Sequence, residues 1–313
     1  MTVPANAPAF GFIGFGALAA SFAAGLRDAG VRDMTAFTRA PSSSVATQAL
    51  ATRLAESGVQ RRSSVEDLVV DRDVVIAAIP AEAAEAIAAQ AVDFLQPGSL
   101  YVDATPLAPS RKTLLADMVA TAGADYADVA VLGTVAVEGH RVPMLAAGPG
   151  AARWVQVAGP LGFRVTELDG PSGRASMVKL LRSVYMKGRD ALVLEMVLAA
   201  HRHGLGDAVL QTIGGPAEQV PFPVLVDRVL RSLAVHADRR SDELRACAEL
   251  VEQAGVQPIV TTAGAERLRW LADLDVRALF CGQRPDGMHA VLDAIDALDP
   301  VVAVPSDGAA TLT

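Results

Sequence analysis

Cysteine is nearly missing: Cys247 and Cys281 are the only two in 313 residues, and neither belongs to a Cys-x-x-Cys pair. That argues against a disulfide scaffold and a zinc site built on paired thiolates, and it fits a reducing, cytoplasmic setting. An excess of positive charge is also lacking. Lys and Arg number 27 against 35 Asp and Glu, a net charge of −8. Nucleic-acid binding by bulk electrostatics is thereby disfavoured, and any anionic ligand must be held by a local basic cluster. No stretch long enough to span a bilayer is free of charges or turn formers, so no membrane partner is expected. Residues 1–9 have neither the basic cluster nor the apolar core of a signal peptide, and they read, like 304–313, as a short tail. Aromatics make up only 4% of a chain that is 51% hydrophobic, which suits close helix packing by Ala and Val. His201 and His203 lie two apart, on different faces of a helix, without an evident third ligand, so no metal site is expected.

What is present begins with Phe10-Gly11-Phe12-Ile13-Gly14-Phe15-Gly16-Ala17-Leu18-Ala19. An apolar strand runs into a glycine turn, and the turn into an alanine-rich helix. A dinucleotide pyrophosphate needs this context, because it must approach bare backbone N–H groups at a helix N-terminus. Gly14 makes the tight turn, Gly16 lets the backbone close on the phosphates, and Ala19 takes the third small position. Gly14, Phe15, Gly16, Ala17 and Leu18 are the expected cofactor contacts in this turn.

Strands expected at 9–13, 34–38, 73–79, 100–103, 125–131, 141–147 and 162–168 alternate with helices at 18–29, 44–57, 81–94, 109–123 and 151–158. Such alternation with short turns predicts right-handed crossovers and a Rossmann-type, doubly wound α/β sheet. After Gly170-Pro171-Ser172-Gly173 the pattern changes to one long helix, 175–203, and then to helices at 207–213, 224–237, 242–254, 264–274 and 288–298. Two domains are therefore expected, 1–170 for the cofactor and 171–313 all-helical, joined by the long helix. The second would supply the substrate wall and the surface of a homodimer.

The end of the second strand chooses the cofactor. An acid there would accept hydrogen bonds from a ribose 2′-hydroxyl. The chain instead reads Thr38-Arg39-Ala40-Pro41-Ser42-Ser43-Ser44. Thr38, Arg39 and Ser43 offer a planar cation and hydroxyl donors to a 2′-phosphate, which favours NADP over NAD. The alternative is a surface loop that caps the next helix.

With these motifs in place, the chain resembles the β-hydroxyacid dehydrogenase superfamily, which includes 6-phosphogluconate and 3-hydroxyisobutyrate dehydrogenases, with imine reductases as relatives. The resemblance covers nearly the whole chain. Residues 11–16 resemble the family's opening motif. Asp73-Val74-Val75-Ile76-Ala77-Ala78-Ile79-Pro80 resembles the strand whose following loop, here Ala78, Ile79 and Pro80, lies along the cofactor. Asp103-Ala104-Thr105-Pro106-Leu107-Ala108-Pro109 resembles the substrate loop, with Thr105 at the substrate-holding serine. Gly173-Arg174-Ala175-Ser176-Met177-Val178-Lys179 resembles the segment that ends in the catalytic lysine, and Glu195 falls where the family carries a helix glutamate. The family's asparagine one turn after its lysine is replaced by Ser183, and its Ser-Gly-Gly loop by a segment containing Leu132 and Gly133. The run from His236 to Arg240, with Glu243, resembles a branch with its own helical C-terminal domain, labelled phosphogluconate-dehydrogenase-like.

The resemblance implies an NAD(P)-dependent oxidoreductase acting on CH–OH donors that interconverts a small hydroxy acid and its oxo form. Lys179 would be the general acid/base, with Thr105 and Ser183 beside it. Helical spacing puts Lys179, Ser183 and Lys187 on one face. Apolar neighbours nearly all round predict a buried helix, in which cations would need a reason. Leu132, Gly133, Lys187, His236 and Arg240 are the remaining candidates for contact with an acidic substrate. Thr105 also reads as a turn residue before Pro106. His236 and Arg240, one turn apart, also read as members of salt bridges with Asp238, Asp242 and Glu243. Two alternatives stay open: an imine reductase-like enzyme, and a dinucleotide-binding sensor without turnover.

Overall fold

The computed structural model describes residues 7–39, 43–213, 215 and 219–299; Ser42, the 304–313 tail and most of the 1–9 tail lie outside them. The first half builds one sheet of β1 (Phe10–Ile13), β2 (Met34–Phe37), β3 (Gln60–Arg61), β4 (Val74–Ala77), β5 (Leu100–Asp103), β6 (Asp125–Val131), β7 (Met144–Ala147) and β8 (Val165–Glu167). Their spatial order is β3-β2-β1-β4-β5-β6-β7-β8, and every pair is parallel except β6 with β7. The central strands Phe-Gly-Phe-Ile, Val-Val-Ile-Ala and Leu-Tyr-Val-Asp are buried at every position. This is the continuous apolar run that a sheet covered on both faces requires.

Helices α1 (Ala17–Asp28), α2 (Ser44–Ser57), α3 (Val65–Val69), α4 (Ala84–Val92), α5 (Pro109–Thr121), α6 (Val135–Glu138) and α7 (Ala151–Ala158) connect the strands. Two apolar layers result. One packs Phe12, Phe22, Trp154 and Phe163, with the Phe22 and Phe163 rings edge to face at 5.1 Å. The other packs Val65, Leu68, Tyr101, Leu115, Val119 and Tyr126. The segment between α2 and β4 holds β3 and α3. Arg61 pairs with Ala36, and the Ser64 hydroxyl caps α3 by accepting from Asp67 N at 3.1 Å.

The second half is helical: α8 (Arg174–Arg202), α9 (Gly206–Thr212), α10 (Phe222–Gln253), α11 (Ile259–Asp273), α12 (Val276–Leu279) and α13 (Met288–Leu298). By compactness the chain divides into two units, Met1–Ser183 and Val184–Thr313, with the division inside α8. In the second unit Ala234, Ala237, Leu271, Val276 and Val291 form the core.

Two expectations need correction. The helices expected at 224–237 and 242–254 are one helix, α10, kinked where His236 leaves helical geometry (φ −126°, ψ 17°). No proline or glycine separates the two halves, so the backbone continues through the bend. The long helix α8 is not buried all round: Leu181 is 65% and Val184 73% exposed, and Met177, Leu180, Tyr185 and Leu194 are exposed as well. Among the described residues no helix is long and apolar enough to cross a membrane.

Candidate active site

The carboxyl ends of β1, β2 and β4 close around Gly14. Gly14 N donates to the Phe37 carbonyl at 2.8 Å, and Ala78 N donates to the Ile13 carbonyl at 2.9 Å. Gly14 has φ +84°, and a Cβ there would stand 2.5 Å from the Ala78 carbonyl oxygen and 2.7 Å from Ile79 Cγ2. Only glycine fits, because the loop after β4 lies directly on the turn. Gly16 differs. It is the N-cap of α1 in extended backbone (φ −81°, ψ −167°), and a Cβ there would meet nothing within 4 Å. The chain's own packing does not ask for a glycine at 16.

Beyond Gly16 the first N–H groups of α1 have no acceptor within the helix. Gly16 and Ala17 are exposed and Leu18 is half-buried, whereas Phe15 is buried with its ring edge to face on Phe12 at 5.8 Å. Phe15 therefore offers only its backbone to this space. Ala78 and Ile79 are half-buried and Pro80 exposed. Thr38 and Arg39 follow Phe37 directly, with Arg39 exposed. The Ser43 hydroxyl is engaged as the N-cap of α2, accepting from Ala46 N at 3.2 Å. Arg61, which the motif reading passed over, reaches from β3 to donate to the Thr38 carbonyl at 3.3 Å.

Beneath the loop after β5 lies a network of buried charges. Lys112, on α5, has no exposed surface. Its Nζ donates to the Asp103 carbonyl at 2.8 Å and pairs with the carboxylates of Asp103 at 3.0 Å and Asp128 at 3.3 Å. Asp103 also accepts from Thr105 N at 2.9 Å and from the Tyr126 hydroxyl at 2.6 Å. Burial and the Asp103 carboxylate push the Tyr126 phenol far up, so it stays a neutral donor. Asp128 accepts from Gly173 N and Ser176 N, both at 3.0 Å, and from the Ser176 hydroxyl at 2.7 Å. A carboxylate on β6 thus satisfies the first turn of α8, where the helix dipole favours negative charge. Gly173 has φ +97°, and a Cβ there would be 2.7 Å from the Pro109 carbonyl oxygen, so α5 and the start of α8 are in contact. The sequence signal for this network was Lys112 itself, which shares a stripe with the apolar Leu115 and Val119 on α5.

Lys179 lies one turn beyond Ser176 and is half-buried. Its ammonium is held below the ordinary lysine value by burial first and by the Lys112 charge second, with Asp128 pulling the other way. The structure does not bring Ser183 to Lys179 as a free hydroxyl: it donates to the Lys179 carbonyl at 2.9 Å. Thr105 lies below the surface. Its hydroxyl is buried with no partner among the described residues. Gly133 is exposed and Leu132 half-buried at the end of β6. In the second unit Lys187 is exposed, and His236 sits at the α10 kink. The Arg240 guanidinium folds back to donate to the Ser232 hydroxyl at 2.9 Å, while Arg239 pairs with Glu243. Glu195 accepts from Val260 N and Thr261 N at 2.9 Å and from the Thr261 hydroxyl at 2.6 Å, capping α11. The ring of Tyr185 packs on Phe222 at 4.8 Å.

Comparison with known proteins follows this division. Residues 9–106 match the family described as "NADP oxidoreductase coenzyme F420-dependent", and residues 200–271 match a domain of unknown function, DUF1932. A conserved hypothetical protein from Sinorhizobium meliloti is 28% identical, with 94% of this chain and 97% of that chain covered and a TM-score of 0.57. A conserved protein of unknown function, described as structurally similar to 3-hydroxyacid dehydrogenases, is 26% identical over 84% of this chain and 97% of its own, also with a TM-score of 0.57. An imine reductase from Myxococcus stipitatus, solved in complex with NADP+, shares the fold at 17% identity and a TM-score of 0.71, over 91% of this chain and 99% of its own. The chain is thus similar to an NADP-oxidoreductase family over residues 9–106 and to DUF1932 over residues 200–271, beside the β-hydroxyacid dehydrogenase superfamily that its motifs resemble.

Proposed function

We propose that the protein is an NADP-dependent oxidoreductase that interconverts a small hydroxy acid and its oxo form, with Lys179 as the general acid/base. The observation that carries the cofactor is the pair of glycines. Gly14 is required by the loop it touches, while Gly16 meets nothing within 4 Å and stands open at the first turn of α1, whose N–H groups have no acceptor within the helix. A pyrophosphate fits that cradle. The side chains of Arg39 and Arg61 at the ends of β2 and β3 supply positive charge where a 2′-phosphate would lie.

A bound nicotinamide supplies or accepts the hydride. The chain's task is then to place the reacting carbon and to move one proton at its oxygen. In the reducing direction the Lys179 ammonium gives its proton to the oxygen as the carbonyl becomes an alcohol. In the oxidising direction the free amine takes the hydroxyl proton. Burial makes the amine form more accessible near neutral pH, which is what a lysine base needs. An exposed apolar surface on α8, around Leu181 and Val184, is the face we assign to a homodimer.

A second reading is reduction of an imine, supported by the fold shared with the Myxococcus stipitatus reductase. One assay separates the readings: NADPH oxidation followed at 340 nm against a panel of 2-oxo and 3-oxo acids, their aldehydes, and cyclic imines. Turnover of the acids supports the dehydrogenase, and turnover confined to the imines supports the alternative. Tight NADPH binding with no turnover on any member would overturn both in favour of a sensor.

A further inference from the structure

A fully buried lysine that carries no proton in the reaction needs an account. Lys112 is such a residue, and a buried ammonium between two carboxylates gives up its hydration at a large cost. A hydroxyl or an apolar side chain with neutral partners would fill the same space at lower cost. The network is nonetheless complete. Asp103 is held by Thr105 N, the Tyr126 hydroxyl and Lys112, and Asp128 by Gly173 N, Ser176 N, the Ser176 hydroxyl and Lys112. Each carboxylate oxygen has a donor.

The geometry of the network points at Lys179. Asp128 binds the first turn of α8 from β6, and Lys179 is three residues past Ser176, on the same side of the helix. Among the described residues, the charges from other elements that act on the Lys179 ammonium are Lys112 on α5, which lowers it, and Asp128 on β6, which raises it. Without Lys112, Asp128 would be a buried anion one turn from an ammonium, and the two would pair. A lysine locked in such a pair neither gives nor takes a proton readily. Lys112 also grips the Asp103 carbonyl, where the loop bearing Thr105 begins.

We propose that Lys112 is a positioning residue for Lys179: it engages Asp128 from beneath, so that this carboxylate does not capture the Lys179 ammonium, and it ties the first turn of α8 to the loop after β5. The idea rests on the reading of Lys179 as proton carrier only for its purpose. The electrostatic relation between the two lysines is measurable without turnover.

The test is the titration of Lys179 in the full-length protein. Reductive 13C-dimethylation followed by NMR reports its midpoint, and Lys179→Ala assigns the resonance. Lys112→Met removes the opposing charge and frees Asp128, so the Lys179 midpoint rises by about one pH unit. Asp128→Asn keeps the acceptor for Gly173 N and Ser176 N but removes the attraction, so the midpoint falls by a similar amount. Opposite shifts support the proposal. If Lys112→Met does not fold, Lys112→Gln, which keeps a donor for the Asp103 carbonyl, carries the test with the same upward shift expected. An unchanged midpoint in the folded variants, or an upward shift in both as general loosening would produce, overturns it. Failure of Lys179→Ala to affect turnover would sink the catalytic reading and leave these shifts in place, so the two failures are distinguishable.

Discussion

Replacing Gly16 by alanine separates a glycine kept for the fold from one kept for a ligand. Its backbone is extended and a Cβ finds open space, so the new methyl meets no strain within the chain. Alanine is a poorer N-cap than glycine by up to about 1 kcal/mol. The stiffer unfolded chain returns about 0.4–1 kcal/mol. Stability should therefore stay within about 0.5 kcal/mol of wild type in urea unfolding. Binding should not be spared, because a methyl over the α1 N-terminus holds phosphate oxygens away from the N–H donors. Losing one such charge-assisted hydrogen bond costs about 1.5–3 kcal/mol, which is roughly 10- to 150-fold in Kd for NADPH by fluorescence titration. Gly14→Ala is the contrasting control. Left-handed backbone costs about 1–2 kcal/mol, and the clash with the Ala78 carbonyl adds about 1–3 kcal/mol of overpacking. That variant should lose stability first. Were Gly16→Ala to bind NADPH like wild type, or to unfold as readily as Gly14→Ala, the assignment of the turn to a pyrophosphate would be refuted.

Three other outcomes follow from named contacts. Arg39→Asp should weaken NADPH binding by roughly 10-fold or more while changing NADH little; unchanged selectivity between the two would end the 2′-phosphate assignment. Glu195→Gln should destabilise the helical half by about 2–4 kcal/mol at pH 7, since three donors lose their charged acceptor. Burial alone would raise the Glu195 carboxyl, but hydrogen bonds from Thr261 and Val260 hold it below the ordinary glutamate value. Its stabilisation is therefore full above that ordinary value and is lost as pH falls through the lowered one, so the difference between variant and wild type should shrink at pH 3. Leu181→Asp with Val184→Asp should convert a dimer to a monomer in sedimentation velocity. A wild-type monomer would contradict the surface assigned to self-association.

The strand–turn–helix at Gly14 and the alternating first half were legible because local rules govern them: apolar runs, small residues at fixed spacing, and turn formers. Lys112, Asp103 and Asp128 were harder to read as a group. They are far apart in sequence, and it is the pairing of β5 with β6 and the packing of α5 that bring them together. A lysine on an apolar helical stripe was the local sign of that network. Arg61 escaped notice because two residues suffice for β3, too few for periodicity to mark. The exposure of α8 was not legible either, since apolarity all round a helix shows only that its faces are to be covered, by the same chain or by another. Similarly, His236 and Arg240 look like neighbours on an ideal helix, but the kink between Ser232 and Arg240 turns the guanidinium back on its own helix.

The measurement that bears most directly on the proposed chemistry is a comparison of turnover and cofactor affinity in Lys179→Ala. General acid/base catalysis by this amine predicts a fall in kcat of about 100-fold or more, with Kd for NADPH within about threefold of wild type. Full turnover in the variant, or an equal loss of affinity and rate, would contradict it.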